Sequence, residues 1–327
     1  MPNQNNPIQK GLQRVKNYFK DEVEEFLVQN AVYNPKEPKY ADVKGFLKNY
    51  ELELLGAGLN ARVFKIKGTK WLVKEARWDL DISIMNFGKI KLPARLAQWF
   101  MKIFSFEFLP TEKNILDDYS AYLEFSQYFG RFKKQENFPH PNINLMIAAQ
   151  KNIRDTLLFF RPAIERKYKL KLDNKIEKIL SKKSVKYHNF LPKEYQLLGD
   201  SISKENKDQK TSFIFQEFIE GKTLATIPDN KLSTRQKEQL ILLIYLILLM
   251  HMQIGILPDT KPKNPMINAY NWLTNTDNIM VTRKDLIFID TRWFWDSNSN
   301  FVKRGVLVPD LMINRAKTSL KELLRQV

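Results

Sequence analysis

The sequence predicts an α+β protein in which a small antiparallel sheet precedes a mainly helical region. From Tyr50 the residues alternate between apolar and polar in YELELLGAG and RVFKIKGTKWLVKEA, as in half-buried strands. A second alternating pair, YQLLGDSIS and SFIFQEFIEG, flanks the polar turn KENKDQKT and predicts a hairpin. Later, Leu240 to Met250 form an uninterrupted apolar run of 11 residues, which is typical of a buried helix.

Composition narrows the possible chemistry. The chain has 327 residues, no cysteine and three widely spaced histidines, His140, His188 and His251. Disulfides, thiolate nucleophiles and cysteine-based zinc sites are therefore excluded, and the histidine spacing gives no pair of metal ligands. The net charge of +17 favours an anionic partner such as a nucleotide, a nucleic acid or an anionic lipid surface.

The sequence predicts neither a secretion signal nor a membrane span. The stretch MPNQNNPIQKG contains no apolar signal region. The apolar run of 11 residues is shorter than the roughly 20 residues that a membrane-spanning helix needs. We therefore expect a cytoplasmic protein without a transmembrane segment.

Residues 1–49 are predicted to form a helical extension. Between residues 7 and 30, apolar side chains recur at helical spacing with charges between them. These apolar residues are Ile8, Leu12, Val15, Phe19, Val23, Phe26 and Leu27. Pro35 and Pro38 prevent the helix from continuing.

Residues 50–220 are predicted to form a sheet-containing lobe with a helical insertion. Within the insertion, residues 114–129 have a helical pattern that Gly130 ends. Residues 88–110 are apolar and aromatic, and we interpret them as a helix packed on the protein, with docking to a membrane surface or a partner as the alternative. Residues 166–188 are strongly basic, and we interpret them as a solvated face, with binding to phosphates or acidic lipid as the alternative.

Residues 221–327 are predicted to form a helical lobe. Ser233 and Gln236 make a capping box at the start of the helix that carries the apolar run. The stretch NIMVTRKDLIFID predicts two short strands around a turn at residues 283–285, and LKELLRQV ends a final helix.

The first stretch with possible chemistry is the glycine-containing turn LLGAGLNARVFKIKG. Gly56 and Gly58 lack Cβ atoms, so their backbone N–H groups can approach a polyphosphate closely. Neither a Gly-Lys-Ser/Thr string nor a helix follows, which excludes a Walker A loop and a dinucleotide fingerprint. Eleven residues after Val63, Lys74 stands at an alternating position of the next predicted strand, where it could meet phosphates as a point charge.

With these residues, the sequence resembles the protein-kinase-like superfamily, which includes aminoglycoside and choline kinases as well as protein kinases. The superfamily pattern G-x-G-x-x-G-x-V is met by Gly56, Gly58 and Val63, with Ala61 in place of the third glycine. The likeness spans roughly residues 50–295, in separate motifs. It implies a two-lobed protein-kinase-like fold, with a small antiparallel β N-lobe and a mainly helical C-lobe that carries the catalytic loop. It also implies ATP and Mg²⁺ as ligands, with Lys74 on the α and β phosphates.

The string FIFQEFIEGKTL resembles the hinge that joins the two lobes of kinases. By this likeness, the backbone carbonyl of Glu217 and the backbone N–H of Ile219 would hold the adenine edge. Gln216 would then control access to the space behind the adenine. The acid that pairs with the lysine in this superfamily should lie on the helix at 114–129, where Asp118 and Glu124 are both candidates.

The segment LMHMQIGILPDTKPKN resembles the catalytic segment of the superfamily. Asp259 would accept the proton of the substrate hydroxyl, and Lys261 would offset charge on the transferring phosphoryl group. Asn278 and Asp290, which are 12 residues apart, would bind Mg²⁺. In the competing alignment, Asp277 or a neighbour replaces the base, and DTKPKN is only a surface turn.

The sequence therefore supports three hypotheses. The first is a phosphotransferase that moves the γ-phosphoryl group of ATP to a hydroxyl acceptor. The second is a pseudokinase that binds nucleotide without catalysis, because Pro258 replaces the usual residue before the Asp and Thr-Arg-Trp follows Asp290. The third is a nucleic-acid-binding protein that uses its basic surface. The short remainder of 37 residues after Asp290 favours small-molecule or atypical kinases within the resemblance.

Overall fold

In a computed structural model, the described part of the chain falls into two compact units. The described residues are 22–32, 39–57, 61–76, 129, 153–172, 174–186, 188–202, 210–227, 231–258, 277–290, 293–296 and 307–327. The first unit comprises Met1–Tyr119 and Lys193–Phe218, and the second comprises Ser120–Pro192 and Ile219–Val327. The sequence boundaries at residues 49 and 220 remain predictions, although residues 120–192 group here with the second unit.

The first unit is built on a five-stranded antiparallel sheet, as the alternating patterns predict. Its strands are β1 (Leu52–Ala57), β2 (Ala61–Ile66), β3 (Trp71–Ala76), β4 (Glu194–Asp200) and β5 (Lys210–Glu217). Their order across the sheet is β1-β2-β3-β5-β4, so β3 is central. Two helices precede the sheet in sequence: α1 at residues 22–30, where the predicted N-terminal helix ends as expected, and α2 (Val43–Leu47).

Local sequence explains the turn between β2 and β3. Gly68 has a φ of 76°, a left-handed conformation that glycine adopts without a steric penalty. The Thr69 hydroxyl donates to the carbonyl of Ile66 at 2.8 Å and accepts from the N–H of Trp71 at 3.1 Å. These two bonds stabilise the reversal that the sequence predicts at Gly68-Thr69.

The outer edge of β4 is covered by the chain around α1 and α2. The N–H groups of Val32 and Ala41 donate to the carbonyls of Gln196 and Leu198, each at 2.8 Å. On β3 and β5, alternate side chains are completely buried, and the Trp71 ring lies 5.5 Å from that of Tyr195. The alternation thus gives this unit one strongly apolar sheet face.

The second unit is mainly helical and surrounds one long helix. Its helices are α3 (Ile153–Tyr168), α4 (Lys175–Ser181), α5 (Lys183–Lys186), α6 (Thr234–Ile254) and α7 (Leu307–Gln326), with a short 3-10 turn at Leu224–Thr226. Its strands are β6 (Lys222–Thr223), β7 (Ile256–Pro258), β8 (Ile279–Val281), β9 (Leu286–Phe288) and β10 (Trp293–Asp296). Antiparallel pairing joins β6 to β8, β8 to β9, and β7 to β10.

Helix α6 confirms the prediction of a buried apolar helix. Ser233 and Gln236 form the capping box, and Gly255 ends the helix with a φ of 75°. Every residue from Leu240 to Met250 is buried, and α6 packs against α3, α5, α7 and β7. Its length and hydropathy would also suit a membrane span, but 72% of its most apolar window is buried inside the protein, as in a core helix.

Candidate functional site

Three of the predicted phosphate-binding residues lie on neighbouring strands of the first unit. Gly56 of β1 pairs with Val63 of β2, and Val63 pairs with Lys74 of β3. The register of β1 shifts between Leu54 and Gly56, and a Cβ atom built on Gly56 would meet no atom within 4 Å. Lys74 is half-buried on the central strand. The sheet therefore brings Lys74 next to the strand that follows the glycine turn.

The sheet face that carries Lys74 is unusually polar towards β4. Lys74 pairs with Ile214 of β5, which in turn pairs with Gln196 of β4. Gln216 lies two residues along β5, and its Nε2 donates a hydrogen bond to Glu194 of β4. Both side chains are buried, so the amide of Gln216 is held in one orientation. Glu194 did not stand out in the sequence, because an acid at an alternating strand position is expected to face water.

The opposite face of β3 carries a second buried acid. Glu75 accepts hydrogen bonds through Oε1 from the Ser201 hydroxyl at 2.6 Å and from the Ile202 N–H at 2.9 Å. Its other oxygen, Oε2, is buried and has no hydrogen-bond partner among the described residues. A strand pattern cannot distinguish this residue from an exposed glutamate, so the burial of Glu75 could not be predicted from the alternation.

The predicted adenine-binding segment begins where β5 ends. The N–H of Glu217 donates to the Lys193 carbonyl at 2.9 Å, and the N–H of Phe218 donates to the Lys70 carbonyl at 2.7 Å. The Lys65 ammonium lies 4.1 Å from the centre of the Phe218 ring. Among the described residues, no backbone acceptor is found for the N–H of Ile219.

The predicted metal ligands lie at one end of the β8–β9 hairpin in the second unit. The turn of this hairpin is closed by Thr282, whose N–H and hydroxyl both donate to the Asp285 carbonyl at 2.9 Å. At the other end, one more backbone hydrogen bond extends the pairing beyond the two strands: the Ile289 N–H donates to the Asn278 carbonyl at 2.8 Å. Asn278 and Asp290 therefore lie on opposite arms of the hairpin, at its open end. Both residues are half-buried.

Asp277 lies at the same end of the hairpin but is already held by β6. Its Oδ1 accepts a hydrogen bond from the Thr223 hydroxyl at 3.0 Å, and Thr223 pairs with Met280 of β8. This contact anchors Asp277 to the small three-stranded sheet. A carboxylate has further lone pairs that could accept a proton, so this contact does not decide between Asp259 and Asp277 as the base.

Several predicted site residues lie outside the described residues. They are Gly58, Asp118, Glu124, Asp259 and Lys261. Their roles therefore stay predictions. Pro258, the residue before Asp259, is described and belongs to β7. It pairs with Trp293 of β10, which lies three residues after Asp290. The strand before the predicted base and the strand after the predicted metal ligand thus pair with each other.

A buried polar cluster lies at the turn end of the same hairpin. Asp285 Oδ1 accepts hydrogen bonds from Gln239 Nε2 and from an Arg235 amino group, each at 2.6 Å. Burial raises the pKa of Asp285, but these two hydrogen bonds and the nearby charges of His188 and Arg235 outweigh it and hold the pKa below its usual value. His188 Nε2 lies 2.7 Å from the Leu286 carbonyl, which can only accept, so this nitrogen carries the proton.

The residues at the open end of the hairpin fit a nucleotide-bound Mg²⁺ better than a metal held by protein alone. Among the described residues, no group of three His, Asp, Glu or Cys side chains could hold a metal ion. A Mg²⁺ ion that shares phosphate and water ligands needs only one or two protein oxygens, which Asp290 and Asn278 would supply.

Comparison with known proteins gives no relative. No protein-family model matches the sequence, and neither the curated proteins nor the solved structures contain a match. The functional argument therefore rests on the chain's own residues.

Proposed function

We propose that the protein is an ATP- and Mg²⁺-dependent phosphotransferase with a two-lobed, protein-kinase-like fold. The observation that carries this proposal is the β8–β9 hairpin, whose two arms carry Asn278 and Asp290 at its open end. An amide oxygen and a carboxylate in this arrangement suit the hard Mg²⁺ ion that accompanies nucleotide phosphates.

Two further observations support the same assignment. Lys74 lies on the third strand of an antiparallel sheet, next to the strand that follows the glycine turn, as the resemblance requires. The segment that leaves β5 carries an N–H donor at Ile219 with no backbone acceptor within the described residues, which suits the edge of an adenine. Each feature is common alone, but the three occur in the order that a kinase-like chain needs.

The chemistry assigns a distinct task to each residue. Lys74 neutralises the α and β phosphates, and Asn278 and Asp290 hold the metal. When bound by these residues, Mg²⁺ would supply electrostatic stabilisation of the nucleotide phosphates. Asp259 accepts the proton of the acceptor hydroxyl while its oxygen forms the new P–O bond, and ADP departs with the electrons of the broken β–γ bridge. Lys261 offsets the charge on the transferring group.

Replacement of the proposed metal ligand tests this function. We expect Asp290→Asn to lower the turnover of ATP by about 100-fold or more, because the variant loses the charge that holds Mg²⁺. Asp285→Asn is the matched control, since it makes the same change at the other end of the same hairpin. It is expected to retain turnover at temperatures where both variants are folded. Equal turnover in wild type and Asp290→Asn, or none in either, would contradict catalysis at this site.

Binding without catalysis distinguishes the pseudokinase. Thermal unfolding of the wild type with ATP, measured with and without Mg²⁺, reports nucleotide binding directly. We expect ATP to stabilise the wild type only in the presence of Mg²⁺. This stabilisation should be lost in Lys74→Met and retained in Lys67→Met, and such a result would support a nucleotide site even where no phosphate is released. The absence of any stabilisation by ATP would remove both the kinase and the pseudokinase.

The two candidate bases are separated by a paired substitution. With Asp259 as the proposed base, we expect Asp259→Asn to lower the turnover by about 100-fold or more. Asp277→Asn keeps an oxygen that can accept from the Thr223 hydroxyl and should retain most of the turnover. The reverse result would favour the alignment in which DTKPKN is a surface turn.

A further inference from the structure

The stretch from the end of α3 through α5 alternates between buried apolar and exposed basic side chains. Its buried residues belong to the core of the second unit: Ile164, Tyr168, Leu170, Leu172, Ile176, Ile179, Leu180 and Val185. The exposed basic side chains between them include Arg166, Lys169, Lys171, Lys178 and Lys183. We call these five the basic face. Because the buried residues anchor the backbone, the basic face is part of the folded surface and not a loose charged tail.

The turn at the end of α3 shows how the charges are kept outside. Lys169 has a φ of 50°, and its N–H donates to the Arg166 carbonyl while the Leu170 N–H donates to the Glu165 carbonyl at 3.0 Å. This pair of bonds is a Schellman-type helix end. After it, Leu170 and Leu172 return to the core, and Lys169 and Lys171 remain exposed.

Glu165 and Glu177, two acids of this stretch, do not pair with the basic face. One side chain, Arg161, binds both Glu165 and Glu177 and also donates to the Leu172 carbonyl at 2.8 Å. Glu165 further accepts from the Leu172 N–H. Two described carboxylates are therefore engaged by a half-buried arginine. Across the described residues, no carboxylate lies within 4.0 Å of any member of the basic face.

An exposed aromatic ring lies beside these charges. Phe159 of α3 is 77% exposed, and its ring makes an edge contact with Phe160 at 5.2 Å. Residues three, four and seven positions apart share one side of a helix, so Phe159 lies on the same side as the exposed Pro162, Ala163 and Arg166. The outer side of α3 therefore changes from apolar to basic along its length.

We propose that the basic face and Phe159 form a docking surface for an anionic lipid membrane. Lysine ammonium groups attract anionic head groups as point charges, and an exposed phenylalanine inserts at the boundary between head groups and acyl chains. The members of the basic face come from three helices, α3, α4 and α5, and from the turn after α3, and all of them are exposed. A single-stranded nucleic acid needs a groove with several stacking rings, and Phe159 is the one strongly exposed ring on this stretch of the described chain. The proposal is independent of the phosphotransferase site.

Vesicle binding by the full chain tests the proposal. We expect sedimentation with vesicles that contain phosphatidylserine and none with phosphatidylcholine alone. Each basic residue near such a surface strengthens association about fivefold, so Lys169→Gln, Lys171→Gln and Lys178→Gln together should weaken it on the order of 100-fold. The matched control replaces Lys48, Lys284 and Lys321, which are also exposed, by glutamine and removes the same total charge. It should weaken binding much less.

The salt dependence of vesicle binding distinguishes the contribution of the Phe159 ring from that of the basic face. Added salt should weaken vesicle binding by the wild type and by Phe159→Ser, and it should have little effect on the residual binding of the variant with three substitutions in the basic face. At low salt, Phe159→Ser should bind about tenfold more weakly than wild type. Failure of the wild type to bind anionic vesicles, an equal loss in both triple variants, or binding to single-stranded oligonucleotides in place of vesicles would overturn the proposal.

Discussion

The two units bury polar side chains in different ways. In the first unit, buried polar residues are spread through the strands of the sheet: Glu75, Glu194, Gln196 and Gln216. In the second unit, Gln236, Glu238 and Gln239 occupy the first turns of α6, and the following residues from Leu240 to Met250 are all apolar and buried. The centre of α6 therefore depends mainly on close packing, whereas the sheet depends more on satisfied hydrogen bonds.

The largest effect is expected at the apolar centre of α6. Leu246 is only 1% exposed, so Leu246→Ala removes buried methyl groups and leaves a cavity. We expect a loss of about 2–5 kcal/mol in the free energy of unfolding. Leu246→Met preserves volume and should cost less than about 1.5 kcal/mol. Urea denaturation measures both. Equal losses in the two variants would show that this centre does not depend on close packing.

A smaller effect is expected at the polar interior of the sheet. Glu75→Ala leaves the Ser201 hydroxyl and the Ile202 N–H without their acceptor and should cost about 1–3 kcal/mol. Glu75→Gln retains an acceptor oxygen and should cost less. The comparison by urea denaturation isolates the hydrogen bonds, since both substitutions remove the charge. A loss in Glu75→Gln as large as in Glu75→Ala would assign the stability to the charge instead.

Asp285 makes the polar end of α6 dependent on pH. Its folded pKa lies below its unfolded value because the hydrogen bonds from Gln239 and Arg235 outweigh burial. A lowered pKa means that the stabilisation is present above the unfolded value, near 3.8, and is lost as the pH falls through the folded value. We expect Asp285→Asn to cost about 1 kcal/mol at pH 7. The difference from wild type should vanish in strong acid, and a difference that grows in acid would contradict the prediction.

The smallest effect is expected at the end of the sheet. Glu24 of α1 binds the ammonium groups of Lys70 and Lys193. Burial raises the pKa of Glu24, but the hydrogen bonds and charges of the two lysines lower it further, to a net value below 4.5. Because the three groups are partly exposed, Glu24→Gln should cost only about 0.5 kcal/mol at pH 7.

Salt and acid provide the control for Glu24. The loss should shrink in 1 M salt, which screens partly exposed charges, and it should disappear in acid as the pH falls through the lowered pKa of Glu24. Glu25→Gln, on the exposed side of the same helix, should change the unfolding free energy by less than about 0.5 kcal/mol. A salt-independent loss in Glu24→Gln would indicate packing and not charge.

Much of the fold follows from the sequence because its elements have strong periods. The strands from Tyr50 alternate, α6 carries a capping box and an apolar run, and the β8–β9 hairpin surrounds a polar turn, and all of these are observed. The sequence could not indicate that Glu75 and Glu194 are buried. Their burial depends on which face of the sheet is covered, and a charged residue at an alternating position has the same local pattern whether its face is wet or dry.

For a similar reason, only part of the candidate site could be predicted from the sequence. The pattern NIMVTRKDLIFID predicts two short strands around a turn, and the observed register brings Asn278 and Asp290 to the same end of this hairpin. The bond from Thr223 to Asp277 joins residues 54 positions apart, and no local pattern predicts it. Whether Lys74 and Asp290 serve one nucleotide stays a proposal that the paired variants test.

The backbone that covers β4 has a consequence for association between copies of the chain. An uncovered edge strand offers a row of N–H and C=O groups to any extended segment that approaches it, which is a common route to aggregation. Here Val32 and Ala41 donate to alternate carbonyls of β4, and Tyr40 bridges to Leu198 in parallel orientation. This side of the sheet therefore has few donors and acceptors left to recruit a foreign strand, and deletion of residues 32–41 is expected to expose them.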